Sequence, residues 1–220
     1  MSEASGFGIV PNVLTPREVT HLAAALENVD RSRAGARHLM VHPAVAQVAN
    51  DPRLLVIAQQ WLGPEVHPYR ATLFDKSPEA NWLVVWHQDT ALPLRKKNEA
   101  PGWGPWSVKA GVLYAHAPAR ALETVVALRL HLDDSLSENG PLRVLPGTHQ
   151  GGVLSDEEIQ GLAREVPPEE CVVGCGGIIA MRPLLVHASS KSTSDAPRRV
   201  LHIEYARSFR QEAELELHVA

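Results

Sequence analysis

Cysteine is scarce in this chain, and so is any excess of charge. There are two cysteines, Cys171 and Cys175, in the stretch CVVGC. Their spacing is not that of a CxxC motif, and no second pair exists to complete a tetrahedral zinc site. It places both on one face of a strand, as apolar filler. The formal net charge is −4 with a pI near 6.3, which gives no reason to expect a nucleic-acid partner. No apolar run is long enough to span a membrane, and the opening MSEASGFGIV lacks the basic and apolar regions of a secretory leader. The expectation is a cytoplasmic protein with no membrane partner. Internal repeats and low-complexity tracts are also lacking.

The 220 residues are 45% hydrophobic and 21% charged, an ordinary globular balance that suits a single domain over 1–220. Residues 1–64 read as helical. Thr15 and Glu18 match a capping box with Pro16 at the first helical position, and Val19, Leu22, Leu26 and Val29 recur at helical spacing. Asp51-Pro52 opens a second helix, which Gly63-Pro64 closes.

From residue 66 to 207 the pattern changes to short apolar or alternating runs: YRATLF, NWLVVWHQ, TVVALRLHL, LRVLPG, CVVGCGGIIAM, LLVHAS and RVLHIEYA. Gly/Pro-rich turns between them point to a mainly β sandwich or jelly roll with flanking helices. Ser155 and Glu158 mark one short helix among the strands. Residues 94–121 show little periodicity and read as a lid or substrate loop.

His87-Gln88-Asp89 puts an imidazole and a carboxylate at i and i+2, the two residues that share one face of a strand. With a third ligand from elsewhere, two His and one carboxylate on one side of an ion leave open positions for reactants, the geometry of oxygen-activating iron(II). The spacing alone does not select this site. Eleven His and eight Asp in 220 positions give about 0.4 chance matches to His-x-Asp, and His131-Leu132-Asp133 is a second one. His202-Ile203-Glu204 is a third candidate if glutamate is allowed. His149 is a ligand by type but reads as a turn anchor. Trp82 and Trp86 read as core or pocket wall. Trp103 and Trp106 read as a substrate cover or as surface packing, and Lys96 and Lys97 as solvated.

Four segments in order resemble the phytanoyl-CoA dioxygenase family: GFGIVPNVLTPREV, NWLVVWHQD, LDDSLSENGPLRVLPGTHQGG and MRPLLVHASSKSTSDAPRRVLHIEYA. The likeness runs from residue 6 to about 207. It implies a double-stranded β-helix, the cupin-like jelly roll, with the N-terminal helices packed on the larger sheet. It also implies metal ligands at His87, Asp89 and His187, and so decides against His131 and Asp133. An arginine eleven residues after the distal histidine, Arg198, would grip the far carboxylate of 2-oxoglutarate bidentately, with Arg199 as the adjacent alternative. Ser189, two after that histidine, would contact the same co-substrate. Relatives place a tryptophan where this chain has Arg129 and a methionine where it has Thr72. They also use a lysine for which Arg37 is the nearest basic equivalent, so Arg129, Arg37 and Thr72 are candidate members of the co-substrate site.

Strand parity supplies a separate expectation. Arg198, His202 and Glu204 share one face opposite Leu201, Ile203 and Tyr205, and Arg129, His131 and Asp133 share one opposite Leu128, Leu130 and Leu132. With the resemblance, the polar faces line a cavity and the leucines pack on helices. The implied activity is a non-haem Fe(II), 2-oxoglutarate and O2-dependent dioxygenase that hydroxylates a small organic molecule with release of succinate and CO2. Asp89 fills the position a halide would need, which argues against halogenation. The alternatives are a catalytically silent jelly-roll binding protein and a metal-dependent cupin-type hydrolase or isomerase, neither of which needs Arg198.

Overall fold

The computed structural model describes residues 3–31, 35–77 and 80–220. The N-terminal part holds strand β1 (Phe7–Val10), helix α1 (Pro16–Ala25), the two-residue strand β2 (Gly35–Ala36) and helices α2 (Pro43–Ala49) and α3 (Pro52–Leu62). Then come β3 (His67–Lys76), β4 (Val84–His87), β5 (Ala91–Leu94), β6 (Trp106–Lys109), β7 (Val112–His116), α4 (Ala119–Leu122), β8 (Val125–His131) and β9 (Leu142–Val144). Helix α5 (Asp156–Glu165) and strands β10 (Glu169–Cys171), β11 (Ile178–Met181), β12 (His187–Ser189) and β13 (Arg198–Ala206) complete the chain.

Both expected capping boxes form. The Thr15 hydroxyl accepts from Glu18 N at the start of α1, and the Ser155 hydroxyl accepts from Glu158 N at the start of α5. A cap of this kind stabilises its helix by about 1 kcal/mol. The Asp51 carboxylate caps α3 by accepting from Arg53 N at 2.9 Å. The region is not helical throughout, because β1 and β2 form opposite edges of the larger sheet.

That sheet has six antiparallel strands in the order β1-β11-β8-β13-β3-β2, and a four-stranded sheet, β10-β9-β12-β4, belongs to the same jelly roll. Leu128, Leu130, Leu201, Ile203 and Tyr205 pack against Val19, Leu22, Val45, Leu54, Ile57 and Trp61 of the helices. Ala127, Ile179 and Met181 point the other way, into a second core with Leu142, Val144 and Leu185. Strand β8 is therefore buried along its whole length. Burying each leucine contributes about 1.5–3 kcal/mol.

Three expectations change. Residues 94–121 hold a hairpin, β6 and β7, turned by Ala110 and Gly111 with φ of 47° and 80°. It joins β5 in a small third sheet. CVVGCGGIIAM is two strands, β10 and β11, with a turn between them. The cysteines accordingly do not share a face. Cys171 lies in the core between the sheets, where burial pushes its thiol up to about 12. Cys175 packs on the helix side, and its Sγ donates to Leu132 O. No described helix is long and apolar enough to cross a membrane.

Candidate metal and anion site

His87 and His187 are paired across β4 and β12, with ring centroids 4.2 Å apart. The register slips between them: His187 faces His87, but Ser189 faces Val84. This bulge puts an extra residue in β4, so Trp86 turns outward to pack on Ile159 and Val186, while Val84 and His87 face the cavity. Each imidazole is oriented by its own backbone. His87 Nδ1 lies 2.9 Å from Val85 O, and His187 Nδ1 lies 2.9 Å from Leu185 O. With Nδ1 donating to a carbonyl, Nε2 carries the lone pair.

Asp89 reaches the same point from beyond the end of β4. Its N–H donates to Pro183 O at 2.9 Å, and Gln88 before it is clamped on both sides. Gln88 Nε2 donates to Gly152 O and Leu184 O at 2.8 and 2.7 Å, and its Oε1 accepts from Leu154 N at 2.9 Å. The result places Asp89 Oδ1 3.7 Å from His87 Nε2 and Oδ2 3.6 Å from His187 Nε2. Those distances are too long for hydrogen bonds, and the three ligand atoms lie within 4.8 Å of one another. Burial opposes the Asp89 charge, but the neighbouring His187 and His87 imidazoles lower its pKa and keep it ionised. Burial pushes His187 down to about 4, so its imidazole is neutral near pH 7. Two imidazoles and a carboxylate converging without satisfying each other fit a divalent metal ion.

A Gln88→Leu variant tests that clamp. It leaves two carbonyls and one N–H without their partner, so we expect about 2–3 kcal/mol lower stability in urea denaturation. Metal affinity should fall with it, because the loop aiming Asp89 loosens.

The rival pairs are separated by the fold. Asp133 is taken by Arg199, whose Nη2 and Nε donate to it at 2.7 and 2.8 Å; Arg199 thus faces away from the cavity. His131 is buried, with no hydrogen-bond partner for either ring nitrogen among the described residues. Glu204 pairs with Arg70, and His202 Nδ1 lies 3.1 Å from Arg129 Nη1. His149 sits beneath Gly6 in the turn at 148–151, apart from the cluster.

A cavity of about 100 Å³ adjoins the cluster, lined by Arg129, Arg198, Ser189, Phe74 and Trp82 as well as by His87, Asp89 and His187. Its floor is the inner face of the larger sheet. Arg198 Nε donates to Asn139 O at 3.2 Å, so the ENGP turn holds one side of the guanidinium. Gly140 in that turn has φ of 67°, and a Cβ there would meet Ser190 O at 2.4 Å. Thr72 is buried further along the floor, opposite His202. Arg37 does not join the cavity: it is exposed, electrostatically coupled to His38 and Lys109.

The basic group that does reach this region is Lys76, which the sequence reading passed over. It is 1% exposed, and its Nζ donates to Ser189 Oγ at 3.3 Å and Ser190 O at 2.5 Å. The signal was parity, since residues 72, 74 and 76 share a face once β3 is followed to its end. Trp82 is a cavity wall, with Lys76 Nζ 5.6 Å from its ring centroid. Trp103 and Trp106 instead pack with the small third sheet, where Trp103 Nε1 donates to Glu212 at 2.7 Å.

His131 has a consequence for acid stability. Burial, with Arg129 and Arg198 nearby, pushes its pKa down to about 3, against about 6.5 when unfolded. Between those values the unfolded chain binds the extra proton, so this contribution to stability is present above pH 6.5 and is lost as pH falls. A His131→Leu variant should shrink the difference between urea stabilities at pH 7 and pH 5 by about 2 kcal/mol.

The architecture and this cluster define a double-stranded β-helix protein with a candidate two-histidine, one-carboxylate centre. The chain belongs to the phytanoyl-CoA dioxygenase (PhyH) family, whose model matches residues 2–200. It is 27% identical over 188 residues to L-proline trans-4-hydroxylase of Streptomyces griseoviridis, covering 74% of this chain and 62% of that protein. It is 28% identical over 166 residues to the ectoine dioxygenase of Bordetella parapertussis, covering 67% and 47%. This chain therefore spans about half to three-fifths of the length of these relatives. Its fold is similar to that of HygX from Streptomyces hygroscopicus, solved with nickel and 2-oxoglutarate bound, with a TM-score of 0.69 at 19% identity over 96% of this chain and 86% of that one.

Proposed function

We propose that this protein is an iron(II)- and 2-oxoglutarate-dependent dioxygenase that hydroxylates a small organic molecule. The observation that carries the reading is the convergence of His87, Asp89 and His187 beside a cavity furnished with Arg198, Arg129 and Ser189. His87 Nε2, His187 Nε2 and one Asp89 oxygen would hold the iron, while Arg198 and Ser189 would take the far carboxylate of 2-oxoglutarate. Arg129, fixed by His202, would help neutralise the same dianion. Iron with 2-oxoglutarate and O2 supplies the oxidation of an unactivated C–H bond, releasing succinate and CO2.

The protein's own part is placement and shelter. The Val85 and Leu185 carbonyls fix the imidazole rings, Gln88 fixes the carboxylate, and the ENGP turn fixes Arg198. The substrate's place is the side of Asp89 away from Arg198. There Arg70 is held by Glu204 and Ala91 O, and Tyr114 has its hydroxyl 2.9 Å from His38 Nε2. The β6–β7 hairpin carries Lys109 over the Tyr114 ring, 5.2 Å from its centroid. A hydrolase or isomerase has no use for the buried arginines, which favour the oxygenase. Anaerobic addition of iron(II) and 2-oxoglutarate should produce a weak visible charge-transfer band that neither gives alone. Its absence at saturating concentrations would refute the proposal.

A further inference from the structure

The small third sheet turns one face toward the Asp89 side of the cluster. Lys109 pairs with Val112 across β6 and β7, and Tyr114 and His116 follow at every second residue, so all of them share that face. The row ends beside the cluster, where His116 Nδ1 lies 2.7 Å from the hydroxyl of Thr90, the residue after Asp89. The inner face of the larger sheet meets it there. Arg70 shares the β3 face of Thr72 and Phe74, and Phe74 lines the cavity next to the histidines. Two cations thus converge on one aromatic ring: Lys109 Nζ is 5.2 Å and Arg70 Cζ 5.7 Å from the Tyr114 centroid. His38 fixes that ring, its Nε2 lying 2.9 Å from the Tyr114 hydroxyl.

Positive charge is in excess at this corner. Glu204 is spent on Arg70 Nε, and Asp89 belongs to the histidine cluster. Among the described residues, Lys109 and the neighbouring Arg37 pair with no carboxylate, and Arg70 Nη2 has no hydrogen-bond partner. An exposed lysine alone is ordinarily solvated. Here its neighbour Arg70 has a side chain only 14% exposed, and an aromatic face attracts cations without neutralising them. Resting on the oxygenase reading above, we infer that the substrate is an organic acid, whose carboxylate or phosphate lies between the Lys109 ammonium and Arg70 Nη2 against the Tyr114 ring. Lys109, carried by the β6–β7 hairpin, is then the residue that selects for the acid. Partial burial, then Arg37 and Arg70, holds the Lys109 ammonium below its ordinary range, while Asp89 acts on it in the opposite sense. The corner and the cluster are therefore within electrostatic reach of each other, close enough for one small molecule to span both.

Nuclear magnetic resonance on the protein loaded with zinc(II) and 2-oxoglutarate tests this without turnover. Acetate, inorganic phosphate and the neutral acetamide are titrated in turn, and the Tyr114 ring signals report binding at the corner. Acetate or phosphate should shift them and acetamide should not; the tighter of the two anions tells a carboxylate substrate from a phosphate ester. Lys109→Met should weaken that anion by about tenfold, and Lys109→Glu should abolish the shift. Lys109 is exposed beside the turn at Ala110 and Gly111, so both variants should keep the fold. Unchanged anion affinity in Lys109→Met would overturn the inference, as would acetamide binding as well as acetate. So would a neutral or cationic compound driving succinate formation where no acid does. Failure of the wild-type protein to bind 2-oxoglutarate would refute the oxygenase reading instead, and the Tyr114 signals would still report the anion.

Discussion

An Asp89→Ala variant is expected to lose iron(II) affinity by about a hundredfold or more while remaining folded. The carboxylate is the one anionic member of the cluster, and it makes no hydrogen bond among the described residues, standing 3.6–3.7 Å from the two imidazole nitrogens. Removing it takes away a proposed metal ligand and also a partly buried charge, so the metal-free protein has little stability to lose. The measurement is iron retained after desalting, with the thermal midpoint as the control for folding. His131→Ala is the contrasting variant. Its imidazole faces the interior, but its sequence partner Asp133 is bound to Arg199, so iron retention should stay at the wild-type level. Loss of iron in the second variant and not in the first would reverse the assignment.

The second large effect is expected at Arg198. A bidentate guanidinium–carboxylate pair in a dry site is worth several-fold more than a pair in water. Arg198→Met should therefore weaken 2-oxoglutarate binding by about a hundredfold, and substrate-dependent succinate formation should fall accordingly at fixed co-substrate. The variant keeps most of the side chain's apolar volume and leaves Asn139 O as the one protein acceptor without its donor. Iron retention is the control, since Arg198 belongs to the larger sheet and touches none of the three proposed ligands through a hydrogen bond. An unchanged 2-oxoglutarate affinity would show that the far carboxylate lies elsewhere.

Strand parity was legible because β8 and β13 are long, regular and flanked by helices on one face. Leu128, Leu130, Leu201 and Ile203 do pack on the helices, and Arg129, Arg198, His202 and Glu204 do turn inward. The choice of His87 over His131 was not legible from the residues alone, because both lie in a His-x-Asp pattern. It depends on Arg199 reaching Asp133 and on β12 crossing beside β4, facts of tertiary pairing. Asp89 also arrives by a different route from the i, i+2 alternation of a strand. Strand β4 ends at His87, and the Gln88 amide aims the next turn.

Other features were hidden for local reasons. The β6–β7 hairpin escaped notice because β6 is almost entirely exposed and shows no alternation. Strand β1 is a short sheet edge that a helical reading of the first 64 residues absorbs. Lys76 was missed because the apolar run YRATLF ends two residues short of the real end of β3. A lysine there reads as a solvated strand end; only the pairing with Arg198 shows that it is buried.

The most direct measurement is iron anomalous diffraction from crystals of the protein loaded anaerobically with iron(II). One peak is expected, enclosed by the Nε2 atoms of His87 and His187 and a carboxylate oxygen of Asp89. A peak at His131 or His202, or none with the ion demonstrably bound in solution, would contradict it.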